Sequence, residues 1–137
     1  MLAERLAAGA PAVIRYPKSL ATPLAVEGNL PAYRPGRAAV LREGADVALW
    51  ALGREVATAL QVADILASQE VEATVVDVRS VMPLDQDCLL EHARRMPIVT
   101  IEDHVCEAGL GAMVAEALAG QDGVRLFQRG WPRNSVA

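Results

Sequence analysis

The run Pro-Ala-Val-Ile-Arg-Tyr-Pro-Lys at positions 11–18 carries the side chains best suited to hold an anion. Pro17 fixes its own φ and biases Tyr16 toward an extended conformation, so Arg15 leaves a nearly rigid strand end. Lys18 adds a second cation. The planar guanidinium of Arg15 matches a phosphate or a carboxylate. The alternative is a basic loop end that only faces solvent.

A second group of chemically active side chains follows a predicted strand. Glu102, Asp103 and His104 offer the carboxylates and the imidazole that proton transfer uses. They lie at the carboxyl end of the strand, where open α/β sheets place ligands. Gly109 and Gly111 then allow a close approach at the start of the next helix. The alternative is that the carboxylates accept from loop amides and that His104 lines a domain contact.

The cysteines and histidines predict no metal site. Cys88 and His92 share a helical i, i+4 spacing, but Cys106 and His104 show no matching ligand spacing. The two cysteines form no CxxC, so a reduced pair in the cytoplasm is expected rather than a disulfide.

Sequence motifs of complete catalytic centres are missing. The chain has no GxSxG, no P-loop and no Gly-Asp-Gly followed at a distance by Asn. Gly53 stands alone in its strand-to-helix turn, which favours a tight turn over a dinucleotide site. We therefore predict no catalytic residue and no cofactor-binding residue in this chain.

Composition narrows the class of protein. Hydrophobic residues make up 53% of the 137 residues but aromatics only 4%, so the core must be aliphatic, as in a buried sheet covered by Ala-rich helices. The net charge of −4 gives no general affinity for nucleic acid or for an anionic membrane. No run reaches the roughly 18 apolar residues of a membrane helix. A cytoplasmic protein is expected.

The chain divides near residue 37. Positions 17–37 contain four prolines and two glycines, and so long a stretch without periodic pattern reads as a linker. We predict that residues 1–36 are the end of a preceding domain with its linker, and that residues 37–137 form the domain proper.

The domain proper alternates strands and helices in the order β-β-α-β-α-β-α-β. This order predicts an α/β fold with three αβα layers and a mostly parallel five-stranded sheet. The first strand, joined to the second by a tight turn, is predicted to run antiparallel at an edge. Asp85 is predicted to cap its helix. The predicted strands are 38–42, 46–51, 71–78, 97–101 and 124–127, and the helices are 53–66, 85–95 and 109–118.

Several motifs together resemble a known family. The block at 11–18 and the run at 36–44 are similar to the junction between the middle and last domains of 1-deoxy-D-xylulose-5-phosphate synthases, members of the transketolase superfamily. The last domain of that family is matched by Asp-Val-Ala-Leu-Trp-Ala-Leu-Gly at 46–53, Val-Val-Asp-Val-Arg-Ser-Val-Met-Pro-Leu-Asp at 75–85, Val-Thr-Ile-Glu-Asp at 99–103, Gly-Leu-Gly at 109–111 and Gly-Trp-Pro at 130–132.

The resemblance implies a function that composition and spacing do not. These synthases are homodimers that use thiamine diphosphate and magnesium to join pyruvate, after decarboxylation, to glyceraldehyde 3-phosphate, for isoprenoid and thiamine synthesis. The cofactor lies between two domains that this chain lacks, so the chain is expected to bind neither cofactor nor metal. The resemblance assigns the substrate phosphate to Arg15. Lys18, Glu102 and His104 are possible contacts to a ligand or a neighbouring domain.

The chain also departs from the family pattern. Ser19 stands where the family commonly has glycine, and Ala108 replaces the first of two glycines. The family continues beyond Gly-Trp-Pro to a His-Gly and a further helix, so the chain, which ends at Ala137, is expected to be a fragment that is inactive alone. Two alternatives remain open: the last domain of a split transketolase or 2-oxoacid dehydrogenase beta-subunit, and a stand-alone α/β interaction module.

Overall fold

The computed structural model describes Gly9 and residues 30–132. Five strands and three helices follow one another in these residues, with a short 3-10 helix, Cys106–Ala108, before the third helix. The strands are β1 (Ala39–Arg42), β2 (Val47–Ala51), β3 (Ala73–Asp77), β4 (Ile98–Val105) and β5 (Leu126–Trp131). The helices are α1 (Glu55–Ala67), α2 (Gln86–Arg95) and α3 (Leu110–Ala117).

The strands form one mixed sheet in the order β1-β3-β2-β4-β5. β2 is parallel to both β3 and β4, and β4 is parallel to β5. β1 is antiparallel and lies at the edge. The predicted fold class, with its mostly parallel sheet and one antiparallel edge strand, is therefore confirmed.

Each face of the sheet carries its own apolar core. On one face α1 buries Val56, Ala59 and Ala63, spaced three and four residues apart, against β2 and β3. On the other face, α2 and α3 cover Trp50 and Ile98. Helices on both faces were predicted, and aliphatic side chains make up most of both cores, with Trp50 as the one aromatic side chain in the described core clusters.

The edge strand β1 pairs with β3, not with β2, the strand that follows it across the tight turn. That turn is fixed to β3 by Gly44, whose N–H donates to Thr74 Oγ1 at 2.9 Å while the Thr74 hydroxyl donates to the Gly44 carbonyl O at 2.8 Å. A Cβ at Gly44 would lie 2.5 Å from the backbone of Ala73, so glycine is required there. The turn thus carries the chain from β1, on the outer side of β3, past the end of β3 to β2.

Two strands extend further than predicted. β4 runs on through Glu102 to Val105, and β5 includes Gly130 and Trp131, which lie beyond the predicted strand 124–127. The reason is long-range, because Val105 pairs with Trp131 and so keeps both strand ends in the sheet.

None of the helices in the described residues is long and apolar enough to cross a membrane.

Candidate functional site

The carboxyl ends of the parallel strands meet at one edge of the sheet, as the site prediction assumed. β4 is irregular there, because Ile101 pairs with Arg129 while Val105 pairs with Trp131. Four residue steps on β4 therefore match two on β5, and the residues between them bulge. The bulge consists of Glu102, Asp103 and His104, the three side chains singled out by their chemistry.

Glu102 turns inward and is 4% exposed. Its carboxylate oxygens accept hydrogen bonds from the N–H of Leu110 at 2.7 Å and of Gly111 at 2.8 Å. These are first-turn amides of α3, which have no partner within the helix. The carboxylate also lies at the positive end of the helix dipole. Glu102 thus caps α3 from a neighbouring strand. This matches the alternative raised in the sequence analysis, in which a carboxylate accepts hydrogen bonds from backbone amides.

Glycines make room for this carboxylate. A Cβ on Gly109 would lie 1.6 Å from Glu102 Oε2, and a Cβ on Gly130 would lie 2.4 Å from the His104 carbonyl O and 3.2 Å from Glu102 Cγ. The close approach predicted at the start of α3 is therefore confirmed at Gly109. The role of Gly130 was missed, because its contacts lie on another strand.

Asp103 and His104 turn outward to solvent. Asp103 Oδ1 accepts from Trp131 Nε1 at 2.6 Å, and Asp103 Oδ2 lies 3.5 Å from an Arg54 guanidinium nitrogen. His104 Nδ1 lies 3.1 Å from the carbonyl O of Val105. Within residues 30–132, His104 has no carboxylate in hydrogen-bond contact, so the bulge does not assemble an acid–base pair. Contact of Glu102 or His104 with a ligand or another domain stays a prediction.

Cys88 and His92 lie one turn apart on α2, and no further metal ligands join them among the described residues. Cys88 Sγ is 3.9 Å from His92 Nδ1, and the His92 ring packs edge-on against Trp50 with ring centroids 5.9 Å apart. Burial lowers the pKa of His92 and raises the pKa of Cys88 to about 11, which keeps both neutral. No group of three or more His, Cys, Asp or Glu that could hold a metal occurs in the described part of the chain.

Asp85 joins the linker to α2. Its carboxylate accepts from the N–H of Cys88 at 3.3 Å, the predicted helix cap, and from the N–H of Ala38 at 3.0 Å. An Arg37 guanidinium nitrogen lies 3.4 Å from the same side chain. The cap was readable from the sequence, because it spans three residues. The bond to Ala38 was not, because it spans 47.

Arg79 is a functional candidate that the sequence did not single out. It lies just past β3, its Nε donates to Asp77 Oδ2 at 3.3 Å, and its Nη1 donates to the Pro31 carbonyl O at 2.7 Å. Burial raises the pKa of Asp77, although the Arg79 cation opposes that shift. A signal was present in the sequence, because Asp77 and Arg79 carry opposite charges two residues apart at the end of a predicted strand.

A groove of about 790 Å³ opens beside the linker. Its apolar lining includes Leu84 and Met113, and Asp87 and Glu116 stand among its charged residues. Met82, 78% exposed, lies in the lining as well. The lining mixes apolar and charged side chains, and exposed methionine is common on surfaces that bind other proteins.

Arg15 and Lys18 lie outside the described residues. The assignment of a substrate phosphate to Arg15 therefore stays a prediction, and so does a contact for Lys18.

A family comparison covers most of the described domain. The family model for the transketolase C-terminal domain matches residues 36–130. The match begins at the linker end and stops inside β5, so it includes the whole sheet except the final residue of that strand.

Curated relatives are similar over the linker as well. The 1-deoxy-D-xylulose-5-phosphate synthase of Desulforudis audaxviator is 43% identical over 112 residues, which cover 81% of this chain and 18% of that protein. The synthase of Pelotomaculum thermopropionicum is 38% identical over 139 residues, which cover 99% of this chain and 22% of that protein. The chain thus spans about a fifth of the length of these relatives.

A solved structure shares the fold. A split-gene transketolase, in an inactive beta4 tetramer, matches with a TM-score of 0.69 and 40% sequence identity, covering 72% of this chain and 33% of that one.

Proposed function

Because the chain belongs to the transketolase C-terminal domain family, we propose that it is the last domain of a 1-deoxy-D-xylulose-5-phosphate synthase, a transketolase-type transferase. The observation that carries this proposal is the 38% identity to a named synthase over 99% of the chain. An alignment of that extent takes in the Arg-Tyr-Pro-Lys block as well as the domain. The enzyme would join pyruvate to glyceraldehyde 3-phosphate with loss of CO2.

The proposal divides the chain as the sequence analysis did. Residues 1–36 would end the preceding domain and form the linker, and residues 37–137 would form the C-terminal domain. The position of β1, which starts at Ala39, and the bond between Ala38 and Asp85 support a boundary near residue 37.

Thiamine diphosphate and magnesium would bind outside this chain. When bound, the cofactor supplies the carbanion chemistry of the reaction. Among the described residues, no group of three or more His, Cys, Asp or Glu converges on one point. The proposed contribution of this domain is to support its neighbours in a cytoplasmic homodimer, with the groove beside the linker as a contact surface.

Arg15 would hold the phosphate of the aldehyde. A guanidinium donates two parallel hydrogen bonds to a phosphate, which fixes the aldehyde as well as binding it. The charge of the phosphate does not change in the reaction, so Arg15 would act on the binding of glyceraldehyde 3-phosphate and not on that of pyruvate.

The test replaces the corresponding C-terminal part of the Pelotomaculum thermopropionicum synthase by this chain. In that chimera Arg15→Ala should raise KM for glyceraldehyde 3-phosphate about tenfold or more, since bonds to a charged group contribute about 1.5–3 kcal/mol each. Arg15→Lys, the matched control, keeps the charge and should lose less. KM for pyruvate should not change.

Unphosphorylated glyceraldehyde gives the sharper control. With this substrate Arg15→Ala and the unaltered chimera should have the same kcat/KM, because no phosphate is present to lose. An unchanged KM for the phosphorylated aldehyde in Arg15→Ala would refute the assignment.

A split transketolase is the second candidate, because the split-gene transketolase structure is 40% identical to this chain. The coding sequence upstream of Met1 separates the two. A Gly-Asp-Gly motif with its later Asn in the same polypeptide supports the synthase, and the same motif in a separate gene supports the split form.

A further inference from the structure

Arg79 has an unusual backbone for its side chain. Its φ is 58°, in the left-handed region, and Glu70 is the only other residue between 30 and 132 that is not glycine and has a positive φ. Left-handed backbone is unfavourable for a side chain with a Cβ. Such a residue persists where its surroundings hold it, and it often marks a functional position.

The contacts of Arg79 account for this conformation. The side chain is 11% exposed and pairs with Asp77, which is 16% exposed. Its Nε donates a hydrogen bond to Asp77, at the end of β3. Its Nη1 donates a hydrogen bond to the carbonyl O of Pro31, which lies in the linker 48 residues earlier. The donors of one planar guanidinium therefore bridge two separate parts of the chain.

A second contact holds the other end of the same segment. Asp85 accepts from the N–H of Ala38 at 3.0 Å and lies 3.4 Å from Arg37. The segment 31–38 is thus fixed to the sheet edge at both ends. If Arg79 were removed, Pro31 would lose this contact. The nearest side-chain contact that holds the linker would then be that of Asp85 with Arg37 and Ala38.

We propose that Arg79 is a positioning residue, which holds the carbonyl of Pro31 and so sets the direction in which the preceding chain, with the Arg15 block, leaves the domain. The inference rests on the proposed function, because it takes Arg15 as the phosphate-binding residue. Arg79 itself contacts neither the substrate nor the cofactor.

A simple tether would give only a small effect. Loss of the Pro31 contact increases the sequence separation between Arg15 and the nearest held residue from 16 (15 to 31) to 23 (15 to 38). Effective concentration falls with about the −3/2 power of length, so a tether alone predicts a loss of about 1.7-fold. A positioning role predicts a larger loss, because the orientation of the block changes too.

The experiment uses the chimeric synthase described above. Arg79→Asn removes the bridge and keeps a residue that tolerates left-handed backbone. Arg79→Lys keeps the charge but loses the planar fork that sets the directions of the hydrogen bonds to Asp77 and Pro31. Asp77→Asn is the matched control, since its amide oxygen still accepts from Arg79 Nε and the Pro31 contact is untouched.

We expect Arg79→Asn to raise KM for glyceraldehyde 3-phosphate about fivefold, well above the tether limit, with kcat and KM for pyruvate within about twofold. Asp77→Asn should stay within about twofold on every constant. In the 137-residue chain, the backbone NMR order parameters of residues 32–34 should fall in Arg79→Asn, because the Pro31 carbonyl is released, while the amide of Ala38 stays bonded to Asp85.

The outcomes separate the two proposals. If Arg15→Ala raises this KM and Arg79→Asn does not, the positioning role is wrong and the proposed function stands. If Arg15→Ala has no effect, the proposed function fails and the positioning role with it. Should Arg79→Asn fail to fold, Arg79→Gly provides the same test, because glycine adopts this backbone freely. Unchanged order parameters at residues 32–34 would also overturn the inference.

Discussion

Replacement of Glu102 tests whether this carboxylate is a structural cap. In Glu102→Gln the amide oxygen still accepts one N–H of α3, but its NH2 group faces the other N–H and cannot accept from it. One hydrogen bond to a charged group contributes about 1.5–3 kcal/mol. We therefore expect a loss of roughly 2 kcal/mol, since a neutral side chain also costs less to bury. Glu102→Ala removes both bonds and should cost about 3–5 kcal/mol.

The measurement is the free energy of unfolding from urea titration, with thermal unfolding beside it. At roughly 4 °C per kcal/mol for a domain of this size, Glu102→Gln should lower Tm by about 8 °C. Asp103→Asn is the matched control on the same bulge. Its side chain is 37% exposed and its oxygen still accepts from Trp131, so it should cost less than about 1 kcal/mol.

One result would refute the capping argument. If Glu102→Gln left both the free energy of unfolding and the hydrogen exchange of Leu110 and Gly111 unchanged, the carboxylate would not be the partner of those amides. If the same variant of the chimeric enzyme then lost activity, the predicted contact of Glu102 with a ligand would be supported instead.

Three further predictions follow from the same geometry. Gly109→Ala should destabilise the domain about as much as Glu102→Ala, because its Cβ takes the place of the carboxylate; additive losses in the double variant would contradict this. Burial lowers the pKa of His92, so below pH 6.5 the imidazole binds a proton more readily in the unfolded chain than in the folded one. The free energy of unfolding should therefore fall as the pH is lowered. The fall should be smaller in His92→Gln. The pKa of Cys88 is raised from 9.0 to about 11, so its alkylation at pH 8 should be about a hundredfold slower than that of an ordinary thiol. The rate is measured in Cys106→Ser, where Cys88 is the remaining thiol. Alkylation of Cys88 at the rate of an ordinary thiol would contradict the prediction.

The elements of the fold were readable because their signals are local. The β-branched run of β3, the apolar spacing of α1 and the Pro-Leu-Asp start of α2 each lie within a few residues. The end of β5 was predicted wrongly for the same reason. Gly130, Trp131 and Pro132 read locally as a break, whereas pairing with β4 keeps Gly130 and Trp131 in the sheet.

The site was harder to read, because its contacts span the sequence. Glu102 accepts from amides eight and nine residues later, and a carboxylate that does this looks the same in the sequence as one that transfers protons. Arg79 and Pro31 are 48 residues apart, and only the packed sheet brings them together. Spacing identified which side chains had suitable chemistry, but tertiary contacts decide how each one is used.

Three of the buried or half-buried charges at the carboxyl ends of the strands share one kind of partner. Glu102 holds amides of α3, Asp85 holds amides of α2 and the linker, and Arg79 holds a linker carbonyl. Each charge is thus used on backbone groups that would otherwise lack a partner, so each stabilises the frame of the edge. In this domain the charges of Glu102, Asp85 and Arg79 therefore hold helix ends and the linker in place. It is suited to support and orient an active site whose reacting groups come from other domains, as the proposed function requires.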